Sequence, residues 1–318
     1  MLKCTPASGI SITMQSSAEI KTSMSCMLPF DPEINLLSDH LRPYQIVNGV
    51  TYPLGEFVVT TAEEQKDATS HSYTVEAYDL GQVVLQNHTD CRVCFAAGTS
   101  YMDAVKRMLV LCGIERTIAE PSDLTFSVTR EDWEPGTSYL TIINALLGEM
   151  AYCTLWFDNN GFARLESTST KRAPIPYVAD DYSILRDGTT KSTDAYDAYN
   201  VFTVVVSTPD APPMVSTAVN DSPVSPISTV NKGRRICAPI QHLDGIASQR
   251  QLDDYAAAVK YASMQNIETI TFETLAIPIH QVGEQVILDY QQYDETGWEI
   301  TLGFGGRYTH TARKAVIV

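Results

Sequence analysis

GTSYLTIINALLGEMAYCTLWFDNNGFARLES, running from Gly136 to Ser167, changes its hydrophobic period partway, and that change decides the fold class. Thr137 or Ser138 can cap a helix, because either hydroxyl can accept a free backbone N–H of the first turn. Leu140, Ile143, Leu147 and Met150 then recur at helical spacing on one face. After Tyr152 the period becomes two: Cys153, Leu155 and Phe157 alternate with Thr154, Trp156 and Asp158. Asn159-Asn160-Gly161 supplies a tight hairpin turn before Phe162 to Ser167. A helix feeding a hairpin cannot cover its own apolar face, so another element must pack on it.

The partner lies upstream. Gly98-Thr99-Ser100-Tyr101 anticipates Gly136-Thr137-Ser138-Tyr139 at an offset of 38 residues. It too opens a helix, with Tyr101, Val105, Met108, Leu109 and Cys112 on one face and Gly113 placed as a C-terminal cap. Two copies do not make a solenoid, and Gly-Thr-Ser is a common helix start.

The chain has 318 residues, enough for two or three domains. A hydrophobic content of 44% beside 19% charged residues fits a folded soluble protein. Apolar runs such as Val201 to Val206 are far too short to span a membrane, and Met1 to Cys4 leads into no apolar signal-peptide core. The net charge of -16 argues against a general grip on nucleic acid, which needs clustered Lys and Arg. Seven cysteines without framework spacing predict reduced, mostly buried thiols.

Outward from the opening stretch the chain is mostly strand. Ile10, Ile12 and Met14, then Ile20, Thr22, Met24, Cys26 and Leu28, alternate as an antiparallel pair. After turn-rich residues 31 to 55, Phe57–Thr61 and His71–Tyr78 complete a compact barrel or sandwich ending near Leu85. Residues 175 to 206 return to strand. Ser207 to Lys232, with five prolines, has the profile of an extended loop or arm. Ser248 caps a third helix to Gln265 with Leu252, Tyr255, Ala256 and Val259 on its apolar side. Strands follow at 269–272, 286–288, 298–302 and 315–318.

Chemistry-bearing groups are sparse. His88, Cys91 and Cys94, with Cys112 beyond, could hold zinc or serve redox chemistry, but a structural zinc site needs four converging ligands. The two Gly-Thr-Ser segments lack the final glycine of a nucleophile elbow, and Gly303 to Gly306 opens no helix that could cradle phosphate. His71 stands alone in a strand. Asp180-Asp181 and Asp253-Asp254 are adjacent and point apart. We assign no catalytic, metal or cofactor-binding residues from the sequence, and no cofactor.

The order of segments carries a resemblance. Ser17 to Ser23, Tyr52-Pro-Leu-Gly-Glu-Phe57 and Tyr73 to Leu80 are followed by both Gly-Thr-Ser helices and Phe157-Asp-Asn-Asn-Gly161-Phe-Ala-Arg-Leu165. Asn220 to Pro226, the helix at 248–265 and Pro278-Ile-His-Gln-Val-Gly283-Glu-Gln-Val286 complete it. Nearly the whole chain thus resembles phage tail and baseplate hub proteins, the late-control protein D-like, tail-associated family. The resemblance implies a mainly β α+β fold with two tube-like β-barrel domains and α/β insertions. These would be a first barrel at 1–92, a helix–hairpin insertion at 93–172, a second barrel from 173–207 plus 268–318, and a proline-rich arm and helix at 208–267.

It further implies a structural, non-enzymatic homotrimer in the virion tail, assembled in the host bacterial cytoplasm. Its partners would be a tail tube or distal tail protein, a tape-measure protein and a spike or tip protein, with DNA only as passing cargo. Many relatives continue into a spike, a carbohydrate-binding region or a hydrolase, so those activities are expected on a separate chain. A second reading, a polysaccharide-binding or cell-wall-degrading module, draws on 16 Tyr, 9 Phe and 3 Trp, although strand aromatics mostly pack. A third is the zinc or redox protein at His88, Cys91 and Cys94.

Overall fold

The computed structural model describes residues 9–170, 175–177, 188–193, 198–208, 211–243, 246, 248–264, 268–303 and 306–314. Its dominant element is one sheet of eleven strands drawn from both ends of the chain. The strands run in the order Thr190–Thr193, Glu268–Leu275, Arg307–Lys314, Gln291–Thr301, Ser11–Gln15, Thr22–Pro29, His71–Asp79, Phe57–Lys66 and His40–Leu41. Off this path, Gln285–Leu288 pairs with Gln291–Thr301 and carries Ile175–Tyr177 in parallel on its other edge. The path is open at both ends, and among the described residues no strand set closes into a barrel.

The two halves meet where Ser11–Gln15 pairs with Gln291–Thr301, setting Ile12 opposite Ile300 and Met14 opposite Trp298. One core follows from that pairing. Ile12, Met14, Met24, Leu28, Phe57 and Val75 pack with Trp156, Trp298, Ile300 and Tyr308. Each such fully buried large apolar side chain contributes about 1.5–3 kcal/mol relative to exposure. The strict alternation in Thr22–Pro29 is the reason this strand was readable: Met24, Cys26 and Leu28 face inward and Ser25 is exposed.

The two Gly-Thr-Ser helices and the hairpin that follows form as their sequence suggests. Ser100 and Ser138, rather than the neighbouring threonines, cap helices Tyr101–Leu111 and Tyr139–Glu149, accepting from the backbone N–H of Asp103 and Thr141. Every residue expected on the two apolar faces is buried, and Ile142 and Leu146 are buried as well. Trp156–Phe157 and Ala163–Leu165 form the expected hairpin, and Thr117–Ala119 adds to it in parallel. Helix Gly81–Gln86, which the sequence reading ran into the first barrel, gives Val84 to the insertion core instead.

Two expectations are corrected beyond residue 200. Val201–Thr208 does not join the large sheet; it is the centre of a separate three-stranded sheet, between Ala211–Val219 and Gln241–Leu243. The arm from Ser207 therefore contains an edge strand, Ala211–Val219, before it turns into irregular chain. Pro212 and Pro213 fall where the pairing register shifts, between Met214 opposite Val206 and Ala211 opposite Thr208, and an irregularity in an edge strand tolerates the missing N–H groups. Helix Gln249–Met264 covers this sheet, packing Leu252 and Ala256 on Val204 and Val206. The strand expected at 315–318 and the pair Asp180-Asp181 lie outside the described residues.

Candidate functional site

The cysteine-based site does not assemble. Cys91 and Cys94 are exposed and free, and Cys112 is buried in the insertion core. His88 Nδ1 lies 2.9 Å from the carbonyl of Gln86, while the Cys94 thiol points at Glu131. Among the described residues, His88, Cys91 and Cys94 form no converging ligand group. His71 lies 2.7 Å from Glu64 and stacks on Phe30 with ring centroids 3.7 Å apart. Asp253 accepts from Ser216 and Gln249, fixing the third helix on the edge strand rather than taking part in an acid pair. The three tryptophans are all buried, which removes the largest sugar-stacking surfaces.

Polar groups instead concentrate at the seams between units. Glu56 is buried, yet its carboxylate meets three cationic or ionisable partners: His40 at 2.7 Å, Arg42 at 2.9 Å, and Arg116 of the insertion. Burial opposes the charge on Glu56, but the hydrogen bonds from Arg42, His40 and Arg116 outweigh it and hold its pKa below the ordinary value. Beside them lies a cavity of about 250 Å³, lined in part by Glu56, Cys112, Arg116 and Gly161. On the insertion's other flank, Gln251 of the third helix donates to the carbonyl of Glu149 at 2.8 Å. The carboxylate of Glu149 in turn accepts from Arg130 at 2.6 Å and from the Tyr101 hydroxyl at 2.9 Å.

The densest arrangement lies in the large sheet and was missed in the sequence. Strand Gln291–Thr301 pairs on one edge first with Gln285–Leu288 and then with Ser11–Gln15; Glu295 falls between those two stretches. On the other edge the register shifts between Glu295 and Gly297, a bulge that re-aims side chains locally. Glu295 points inward with no exposure, between the equally buried His280 and His310. His310 Nδ1 is 2.6 Å from Glu295 Oε1, and its Nε2 is 2.8 Å from the Thr274 hydroxyl. His280 Nδ1 is 3.4 Å from Glu295 Oε2 and 3.2 Å from Glu284 Oε2.

Burial by itself would lower the pKa of His280; the carboxylates of Glu284 and Glu295 outweigh it and raise the value to about 9. Phe272, Tyr308 and Trp298 enclose the group, with the His280 and Tyr308 rings meeting edge-on at 5.0 Å. The insertion reaches it too, since Asn159 donates to the carbonyl of His280 at 3.2 Å. Glu284 is four residues from His280 and could be seen as a pair in the sequence. Glu295 and His310 are brought in only by strand pairing.

The surface offers apolar residues at several places. Strands Tyr44–Val47 and Val50–Pro53 form a separate hairpin turning at Asn48-Gly49, and expose Tyr44, Ile46 and Val50. No helix among the described residues is long and apolar enough to cross a membrane.

No family model matches the sequence, and no curated protein matches it. Solved structures do. A tail protein from Neisseria meningitidis MC58 is 12% identical with a TM-score of 0.68, covering 96% of this chain and 92% of its own. The 43 kDa tail protein of prophage MuSo2 from Shewanella oneidensis is 11% identical with a TM-score of 0.69, covering 97% of this chain and 94% of its own. An E. coli component of the type VI secretion system, described as structurally similar to the T4 tail proteins gp27 and gp5, is 10% identical with a TM-score of 0.57. That match covers 99% of this chain and 75% of the E. coli protein. The fold of this chain is that of phage tail proteins.

Proposed function

We propose that this chain is a structural hub of a phage or phage-like tail, a homotrimer that joins the six-fold tail tube to a three-fold distal spike or tip. The observation that supports it most is the extent of the structural likeness: more than nine-tenths of this chain and of two tail proteins superpose as one architecture. A shared small domain would not give such reciprocal coverage. The likeness to a secretion-system protein that itself resembles T4 gp27 and gp5 points the same way.

In this reading the strands before residue 80 and those after residue 268 are the two tube-like units of each subunit, and three subunits supply six around the ring. The insertion, starting at helix Gly81–Gln86, and the small sheet with its covering helix stand off that ring. A net charge of -16 suits a channel through which DNA slides without sticking. The role is in assembly rather than catalysis, in the virion tail, with tube, tape-measure and tip proteins as partners.

Light scattering on the purified chain, alone and mixed with tail-tube and tip proteins of the same particle, tests this. The expected result is a trimer mass, either free or on a partner. A species that stays monomeric and binds neither protein would overturn the proposal.

A further inference from the structure

The group around Glu295 contains an unsolved polar problem. Oε2 of Glu295 is buried and makes no hydrogen bond. A carboxylate oxygen in that position normally finds a donor, because leaving it bare forfeits its hydration without replacement. The polar atom facing it is His280 Nδ1 at 3.4 Å, and that nitrogen also faces Glu284 Oε2 at 3.2 Å. These separations are long for hydrogen bonds to an ionised carboxylate, which run about 2.7–2.9 Å. They suit co-ligation: bonds of about 2.0–2.2 Å to a tetrahedral ion hold neighbouring ligand atoms roughly 3.2–3.5 Å apart.

We propose that His280 Nδ1, Glu295 Oε2 and Glu284 Oε2, with a water completing the tetrahedron on the more exposed Glu284 side, form a buried site for a divalent transition metal of the Zn²⁺ class, with His310 as the positioning residue. His310 stands apart because its 2.6 Å contact is to the other oxygen, Oε1, and is a hydrogen bond in length. It anchors Glu295 so that Oε2 turns toward His280, while Thr274 holds the far side of the His310 ring at 2.8 Å. A ligating carboxylate oriented by a histidine that is itself hydrogen-bonded is a common outer-shell arrangement.

Charge favours the same ion. Once His280 gives up its proton to ligate, two carboxylates beside two neutral imidazoles leave the group net negative inside the protein, and a dication cancels that charge. Imidazole among few ligands selects a transition metal over Ca²⁺ or Mg²⁺, which need six or more oxygens. His280 precedes strand Gln285–Leu288, Glu284 adjoins that strand, and Glu295 sits where the long strand changes neighbours. A metal would therefore pin the junction of the two halves of the sheet.

The site is independent of the hub reading, and its test needs no assembled tail. The full chain is unfolded in chelator and refolded with Co²⁺ or Zn²⁺, and bound metal is counted by mass spectrometry. About one ion per chain is expected, with visible ligand-field bands for Co²⁺ and a raised Tm for Zn²⁺. Glu295→Gln, close in shape, should abolish uptake. Glu284→Gln, at the more exposed edge, should weaken it by about 10-fold or more while the fold persists by circular dichroism. His310→Gln should lower affinity without removing the ligand set, and Cys91→Ser with Cys94→Ser should change nothing. Uptake below about a tenth of an ion per chain by folded wild type overturns the proposal. So does wild-type affinity in Glu284→Gln, or a Co²⁺–thiolate absorption lost in the double cysteine variant.

Discussion

Gly161 lies so close to Glu56 that a Cβ added there would sit 2.7 Å from Glu56 Oε2 and 3.0 Å from the Arg116 guanidinium. The backbone at Gly161 is also left-handed, at φ +76°. Glycine is required here twice over, once for conformation and once for space. The turn that the sequence marks as a hairpin is thus also the point where the insertion docks on the first β unit.

Gly161→Ala is expected to destabilise the protein by about 2–3 kcal/mol, because strain and displacement of a buried ion cluster add. Urea unfolding measures it. Asn160→Ala, one residue earlier in the same turn, has no such contact to lose beyond its backbone and should cost well under half as much. Equal losses in the two variants would show that only turn conformation matters.

Glu149 holds Arg130 and Tyr101 inside the insertion, and the three should behave as one network. Burial opposes the charge on Arg130, while the hydrogen bonds to Glu149 and Asp132 outweigh it and keep its pKa above the ordinary value. Glu149→Gln leaves the guanidinium with only the half-exposed Asp132 as ionic partner, and a loss of about 3 kcal/mol or more is expected. Tyr101→Phe removes the hydroxyl that donates to Glu149 and should cost about 1–2 kcal/mol. A double-mutant cycle by chemical denaturation checks the coupling; additive losses would argue against a network.

Asp79 gives a pH prediction of unusual sign. It is fully enclosed, and burial raises its pKa to about 6 despite backbone hydrogen bonds from Gly81 and Thr22 and the nearby Lys21. The folded state therefore holds this proton more tightly than the unfolded chain, whose carboxyl titrates near 4. The stability it contributes is fully present below pH about 4 and is lost as pH rises through about 6. The stability of wild type relative to Asp79→Asn should accordingly fall between pH 4 and 7. Unfolding free energies of both proteins across that range test it, and a flat or rising difference would contradict the assignment.

What could be read in advance was local. Helix caps at Ser100 and Ser138, the apolar faces above them and the Asn159-Asn160-Gly161 turn are all set within a dozen residues, where periodicity and capping act directly. The edge strand at Ala211–Val219 escaped because its prolines read as loop, although an edge tolerates them. The Glu295 group escaped for a different reason. Its members come from a turn and two strands, and they meet only because Gln291–Thr301 changes neighbours at Glu295. Nothing in the spacing of His280, Glu295 and His310 encodes that exchange.

The repeat at offset 38 extends further than its Gly-Thr-Ser signature. Both helices have 11 residues, and both are followed two positions later by a left-handed residue, Gly113 at φ +79° and Ala151 at φ +57°. Equivalent positions thus carry the residue suited to that conformation in one copy and an unsuited one in the other. No atom lies within 4 Å of a Cβ built on Gly113, so the difference there is conformational alone. Ala151→Gly should stabilise the protein by up to about 1 kcal/mol, and Gly113→Ala should destabilise it by a similar amount. Thermal and urea unfolding of the two variants should move in opposite directions. A destabilised Ala151→Gly would mean that the alanine methyl packs well enough to offset the strain of its backbone.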